Sequence, residues 1–400
     1  MARISASIDK TIVRQPRWLP AKLNILSRKQ GYNVSSSDIE EILRTLIAFP
    51  SVTSDEKANH ALFDYVTAYL KRRGMHVLRF EPTTSHREAL VASTRPKNAK
   101  TPTVLLAAHT DVVAAEPQQF QLHREGDTYV GRGVYDMKGA IASYLKIVDD
   151  LRDHLAEYDF AIMLTSDEEV VTDDINGVRD LVAAGYRPQV VCLPDGGRDW
   201  QLEASAKGIM RYNLEAHGKA AHGSRPWLGE NAVLKLTKAL HHLQIHFKDH
   251  GPETDTFNIG VIEGGEVFNQ VPHYAKAEFE IRLNDADSKQ RTQALIATLC
   301  HEYDLTATVH LEFDLTATDI NHPLVRSFSK IVENVVGIKM VGVKSYGGSD
   351  ARYFAAQGIP YMCFYPFGGG HHGPDEWLDA ASLTQLPEIL HRYLDKVAKN

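Results

Sequence analysis

Five short stretches of the chain bring imidazoles and carboxylates together at spacings that could do chemistry. "LLAAHTDVV" carries His109 and Asp111, two residues apart, just beyond an apolar run. "GRGVYDMKGA" puts Asp136 at the start of a helical pattern, and "MLTSDEEV" ends an apolar run in Asp167, Glu168 and Glu169. "VVCLPDGG" delivers Asp195 in the same way, and "PFGGGHHGPDEW" sets His371 and His372 in a glycine-rich loop ahead of Asp375 and Glu376. Taken singly, each has an ordinary reading: a polar strand end, a helix N-cap carboxylate or a solvated acidic run. The glycines of GRGVYD imitate a dinucleotide fingerprint, but Asp136 stands where its third glycine should be.

Taken together they point to a metal. Ligands in open α/β sheets bind beyond the carboxyl ends of the strands, and four apolar strands here end in His109, in the acidic run, in Asp195 and in the histidine loop. Carboxylates that converge without cations repel and raise one another's pKa. A divalent ion relieves that repulsion, and a mixed His/carboxylate set suits zinc, with cobalt or manganese as alternatives. One bridging carboxylate with two further ligands per ion would build a dinuclear site with room for a shared water.

The elements that position these residues follow from hydrophobic periodicity. Helical spacing runs through Ile39, Ile42, Leu43, Leu46 and Ile47 after a capping-box pattern at Ser37–Glu40, and a second helix from about Asp55 stops at Gly74. Strand runs "MHVLRF", "ALVAST", "TVLLAAH", "FAIMLTS" and "QVVCLP" then alternate with helices, several of the runs continuously apolar. That pattern predicts an α/β fold, a mostly parallel sheet sandwiched by helices. From Gly208 the order becomes βαββαβ, a ferredoxin-like unit inserted between two segments of the catalytic domain. The expected organisation is an N-terminal extension over 1–36, catalytic segments over 37–207 and 317–400, and an inserted lid and dimerisation domain over 208–316.

Composition narrows the function. The chain has 400 residues, 43% of them hydrophobic and 24% charged, with a net charge of −7, so nothing resembles the basic footprint of a nucleic-acid binder. No apolar run reaches the ~18 residues of a membrane helix. Cys192, Cys300 and Cys363 form no CxxC pair, which suggests unpaired thiols in a reducing, cytoplasmic setting. The first 35 residues hold seven Lys/Arg and the single acid Asp9; they read as an ordinary extension, with a cleaved targeting signal as the alternative. There is neither an HExxH motif nor a GxSxG elbow.

The set His109-x-Asp111, Asp136, Glu168-Glu169, Asp195 and the late His-x-x-Asp-Glu resembles, in order and spacing, the metal motifs of a known family. This is the dinuclear-zinc peptidase and deacylase family that includes glutamate carboxypeptidase, aminoacylase, acetylornithine deacetylase and succinyl-diaminopimelate desuccinylase. The resemblance runs from about Ser37 to the C-terminus. It implies two zinc ions per chain, bridged by Asp136. His109 and Asp195 would complete one site, and Glu169 and His372 the other. His372 has the commoner family spacing to Asp375-Glu376, and His371 a spacing one residue longer. Asp111 would orient His109, and the Asp136–Met137 peptide would be cis.

The resemblance further implies that Glu168 is the general base. His222, in "GKAAHGSRPWLGENAV", would stabilise the oxyanion, in dimeric members from the partner's lid. Asn269 and Arg282 would meet a substrate carboxylate, although "IRLND" lacks the proline that often follows this arginine and a structural ion pair is the alternative. Gly347 and Gly348 would bring backbone amides close to the ligand. The expected protein is a cytoplasmic, zinc-dependent hydrolase and a homodimer through its lid. It would cleave the amide of an N-acyl amino acid or small peptide bearing a free carboxylate. A dipeptidase of the same family, or a catalytically silent binding protein on the same fold, are the alternatives. Asp195, where the desuccinylase usually has glutamate, leans away from that particular activity.

Overall fold

The structure is a computed structural model, and it describes residues 36–169, 175–248 and 251–399. The basic N-terminal extension lies outside the described residues, as do the side chains of the expected cap at Ser37.

The central sheet has six strands in the order His76–Phe80, Ala89–Ser93, Phe160–Thr165, Val104–His109, Val190–Leu193, Tyr361–Cys363. The first two join antiparallel, and the remaining four run parallel to one another. Every residue of Val104–His109, Phe160–Thr165 and Val190–Leu193 is buried, as expected of parallel strands covered on both faces. Their continuous apolar sequences are the cause, since an alternating strand would leave one face polar. Because the strands are parallel and in register, with His109 opposite Thr165, their carboxyl ends and the polar residues beyond them share one edge.

Helices close the faces. Glu56–Arg72 is capped by the Asp55 side chain, which accepts from Ala58 N at 2.9 Å, and it ends ahead of Gly74 at φ +91°. Its Leu62, Phe63, Val66 and Leu70 fall on one face and are buried, each contributing about 1.5–3 kcal/mol. Lys138–Asp150 is buried from Lys138 to Val148 and packs between Ser36–Ile47 and Ala380–Val397.

A second hydrophobic cluster belongs to a four-stranded antiparallel sheet, Thr256–Gly264, Tyr274–Leu283, Gly208–His217, Leu305–Phe313, backed by helices Ala232–His246 and Ser288–Tyr303. Along Gly208–His217 buried and part-exposed residues alternate from Met210 onward, so one face meets the helices and the other does not. The βαββαβ order read from the sequence is the order observed.

Two small sheets were not legible as strands. Trp377–Asp379 pairs antiparallel with Thr128–Val130 and with Gly368–Gly369, which draws the loop after Val130 up against the loop holding His371 and His372. Gly368 is required there: a Cβ would lie 2.2 Å from the Tyr135 ring. Leu202–Ala206 pairs with Gly342–Ser345 and Thr316–Ala317 and floors the same cleft.

Candidate active site

The sheet edge delivers the polar residues into one cleft of about 620 Å³. His109 closes its strand, Asp136 sits two residues before the helix Lys138–Asp150, Glu168 and Glu169 follow Phe160–Thr165, and Asp195 follows Val190–Leu193. Ligand atoms of His109, Asp136 and Glu169 all lie within 4.8 Å of one another. Asp136 divides its carboxylate: Oδ1 is 3.1 Å from His109 Nε2 and Oδ2 is 3.4 Å from His372 Nε2. Asp195 Oδ1 lies 3.9 Å from His109 Nε2, and Glu169 Oε2 lies 3.0 Å from His372 Nε2. The Asp136–Met137 peptide is cis.

Electrostatics fit a cation between these groups. Asp195 Oδ2 is buried and accepts no hydrogen bond among the described residues, while Oδ1 takes one from Tyr365 Oη at 2.7 Å. Burial, followed by the charge of Asp136, pushes the Asp195 carboxyl up, and burial followed by Asp195 does the same to Glu168. Burial works against charge on His109, but hydrogen bonds to Asp111 and Asp136 hold its pKa well above the ordinary value. Asp136 and then Glu169 raise His372 to about 10. The carboxylates thus draw protons onto both imidazoles, the same demand a divalent ion would meet.

Asp111 faces two ways. Its carbonyl oxygen is 2.9 Å from His109 Nδ1, with the carboxylate Oδ1 further away at 3.6 Å. The carboxylate is taken up by Thr53 Oγ1 at 2.8 Å and by the backbone N–H groups of Glu168 (3.4 Å) and Glu169 (3.1 Å). Asp111 therefore fixes the turn that carries both glutamates, as well as the imidazole.

His371 points elsewhere, stacking on Tyr365 at 6.1 Å, while Tyr365 stacks on Tyr135 at 4.4 Å. Arg282, Gly347 and Gly348 line the cleft. Arg282 is tied to Glu280 at 2.5 Å, and Glu280 also holds Arg211 at 2.7 Å, so the ion pair left open as an alternative is present. His222 and Asn269 are not among the described cleft-lining residues. They lie together on two exposed loops of the four-stranded sheet, where Gly223 N donates to Asn269 O at 2.6 Å and His222 Nδ1 is 2.8 Å from Ser224 Oγ.

Sequence reasoning assigned no role to several residues of the site. Tyr365 follows the strand Tyr361–Cys363 by two residues, so the strand-end argument could have reached it. Arg352, within the substrate-loop stretch SYGGSDARYF but given no role there, lines the cleft with its Cζ 4.3 Å from the Phe313 ring centre; the buried Glu203 and Lys207 line its floor and had no sequence signal.

A family model described as peptidase family M20/M25/M40 matches residues 105–396. The chain belongs to that family. The resemblance drawn from the motifs is borne out, and with it the α/β fold and the reading of the protein as an amide hydrolase. A succinyl-diaminopimelate desuccinylase of Marinobacter nauticus is 29% identical over 385 residues, covering 90% of this chain and 99% of its own. A probable carboxypeptidase of Aspergillus clavatus is 28% identical over 285 residues, 66% of this chain and 62% of its own. Among solved structures, a tripeptidase from Staphylococcus aureus matches with a TM-score of 0.77 at 19% identity, covering 91% of this chain and 98% of that one. An M20 metallo-carboxypeptidase from Sulfolobus solfataricus gives 0.72 at 16% identity, with 89% and 98% covered. At such identities these two structures speak for the M20 fold alone.

Proposed function

We propose that this M20 chain is a dinuclear zinc hydrolase that removes the acyl group, or the terminal residue, from a small amide substrate bearing a free carboxylate. The observation that carries the reading is the divided carboxylate of Asp136, with one oxygen toward His109 and Asp195 and the other toward His372 and Glu169. His109, Asp136 and Asp195 would hold one ion, and Asp136, Glu169 and His372 the second. The unpartnered Asp195 Oδ2 supports the first of these. What the ions supply when bound is polarisation of the scissile carbonyl and acidification of a water.

The chain's own residues do the rest. Glu168 takes a proton from the attacking water at its carboxylate and returns it to the leaving amine nitrogen, without which the amine would have to depart as an anion. Burial, and after it the charge of Asp195, raises the Glu168 pKa above the ordinary carboxylate range, which favours holding the proton it takes. Arg282 and the Gly347-Gly348 loop face the substrate carboxylate, with Arg352 as a further cation in the cleft.

His222 and Asn269 act from residues 208–316 as a lid, reaching the site of a partner copy. Two features favour a homodimer through this sheet. Thr256–Gly264 is an open edge strand, and Trp227 (74% exposed), Leu234, Ile262 and the fully exposed Phe268 leave apolar surface on the same unit. The unpaired cysteines suit a cytoplasmic setting.

The test is Glu168→Ala. It should retain close to two zinc ions per chain by elemental analysis while kcat falls by about 10²–10⁴-fold or more. A variant with wild-type kcat refutes the assignment. A panel of acetylated, succinylated and dipeptide substrates then assigns the acyl group.

A further inference from the structure

The segment "GRGVYD" shares the first two glycines of an anion-binding loop, and the structure gives it an anion from within the chain. The N–H of Gly133 donates to Glu376 Oε2 at 2.8 Å, and those of Tyr135 and Asp136 donate to Oε1 at 2.9 and 3.0 Å. Such a concave run of backbone amides is a ready receptor for negative charge. Gly133 makes the curve at φ +84°, where a side chain would be strained and would also meet Val112 and Lys138 at 3.0–3.1 Å. Glu376 is fully buried within this nest.

Arg132 completes the arrangement. Its Nη1 lies 2.6 Å from Glu376 Oε2, and its Nη2 donates to Gly373 O, next to His372, at 3.0 Å. The Glu376 carbonyl accepts from Gly131 N at 3.2 Å. One carboxylate therefore fastens the loop carrying Asp136 to the loop carrying His372. With four donors on two oxygens, its lone pairs are committed and it does not compete for a cation.

We infer that Glu376 is a positioning residue: by filling the amide nest it fixes the Asp136 backbone relative to His372, and so sets the separation at which one carboxylate serves two cations. The inference rests on Asp136 and His372 being ligands. It concerns metal binding, because a displaced Asp136 moves both of its oxygens at once.

The experiment compares zinc-loaded wild type with Glu376→Gln, in which an amide NH₂ would face N–H donors. Zinc affinity is measured by competition with a chromophoric chelator on protein shown to be folded by circular dichroism. Zinc should bind about 10–100-fold more weakly in the variant. A merely structural role would lower the melting temperature and leave the affinity of the folded protein unchanged, and that result overturns the inference. If Glu376→Gln does not fold, Glu376→Asp decides, because it keeps the charge and draws the carboxylate back from the three backbone N–H groups. Weakened zinc binding then supports the inference, and wild-type affinity overturns it. A wild-type protein that binds no zinc refutes the ligand reading itself, so the two failures are distinguishable.

Discussion

His372 Nε2 faces Glu169 Oε2 at 3.0 Å, although the two residues come from separate loops far apart in the chain. Together with Asp136, this contact raises the imidazole pKa to about 10 from an ordinary 6.5. The contribution to stability of the metal-free chain is therefore complete below about pH 6.5 and is lost as pH rises through about 10. Thermal unfolding of chelator-treated protein should show this decline for wild type and a shallower one for His372→Gln. Identical pH profiles would refute the contact. With zinc present the imidazole is needed neutral, so zinc binding should weaken toward acid pH.

Tyr365 donates to Asp195 Oδ1 from a buried site and orients that carboxylate. Tyr365→Phe keeps the ring and its stacking on Tyr135. Zinc affinity should fall by about 10–100-fold with the fold retained. Unchanged affinity in competition titrations would mean that the hydroxyl is idle.

Glu203 is 2% exposed, and burial pushes its carboxyl up to about 7 from an ordinary 4.5. That difference corresponds to about 3 kcal/mol of stability, present below about pH 4.5 and lost as pH rises through about 7. Glu203→Gln should therefore gain on wild type between pH 5 and pH 8, read as urea midpoints at the two pH values. A constant difference between the two proteins would show that the carboxyl ionises freely.

His222 lies on an exposed loop away from the Asp136 cluster of its own chain, so a partner is the expected beneficiary. His222→Ala and Glu168→Gln should each be nearly inactive. Mixed in equal amounts and allowed to exchange subunits, they should recover about a quarter of wild-type activity. Half of the dimers would be mixed, and each would hold one complete site. No recovery, with exchange verified by a tag, would place the action of His222 within its own chain.

The sequence carried the fold where residues are continuously apolar. "VLLAAH", "FAIMLT" and "VVCL" read as buried parallel strands, and their shared direction brings His109, Glu169 and Asp195 to one edge. Strands of two or three residues, such as Gly368–Gly369 and Trp377–Asp379, have no periodicity to read, so the small sheet joining the Asp136 and His372 loops stayed hidden. Glu376 was visible as one acid of a motif, but three of the four donors on its carboxylate are backbone amides that any sequence would have. Tyr365 and Asp111 carry roles set by which neighbour lies within 3 Å, a property of the folded chain. Arg282 was ambiguous in the sequence because an arginine can serve a substrate or Glu280 with the same guanidinium.

The strand Tyr361–Cys363 lies at one end of the central sheet and is the last of its six to leave the ribosome. Until it docks, Val190–Leu193 is an open, wholly apolar edge, and the loop bearing His372 has not been made. A chain stopped before this strand would thus combine an aggregation-prone sheet border with a proposed ligand set that lacks His372. The segment that closes the sheet border is thus the same one that would complete the metal site.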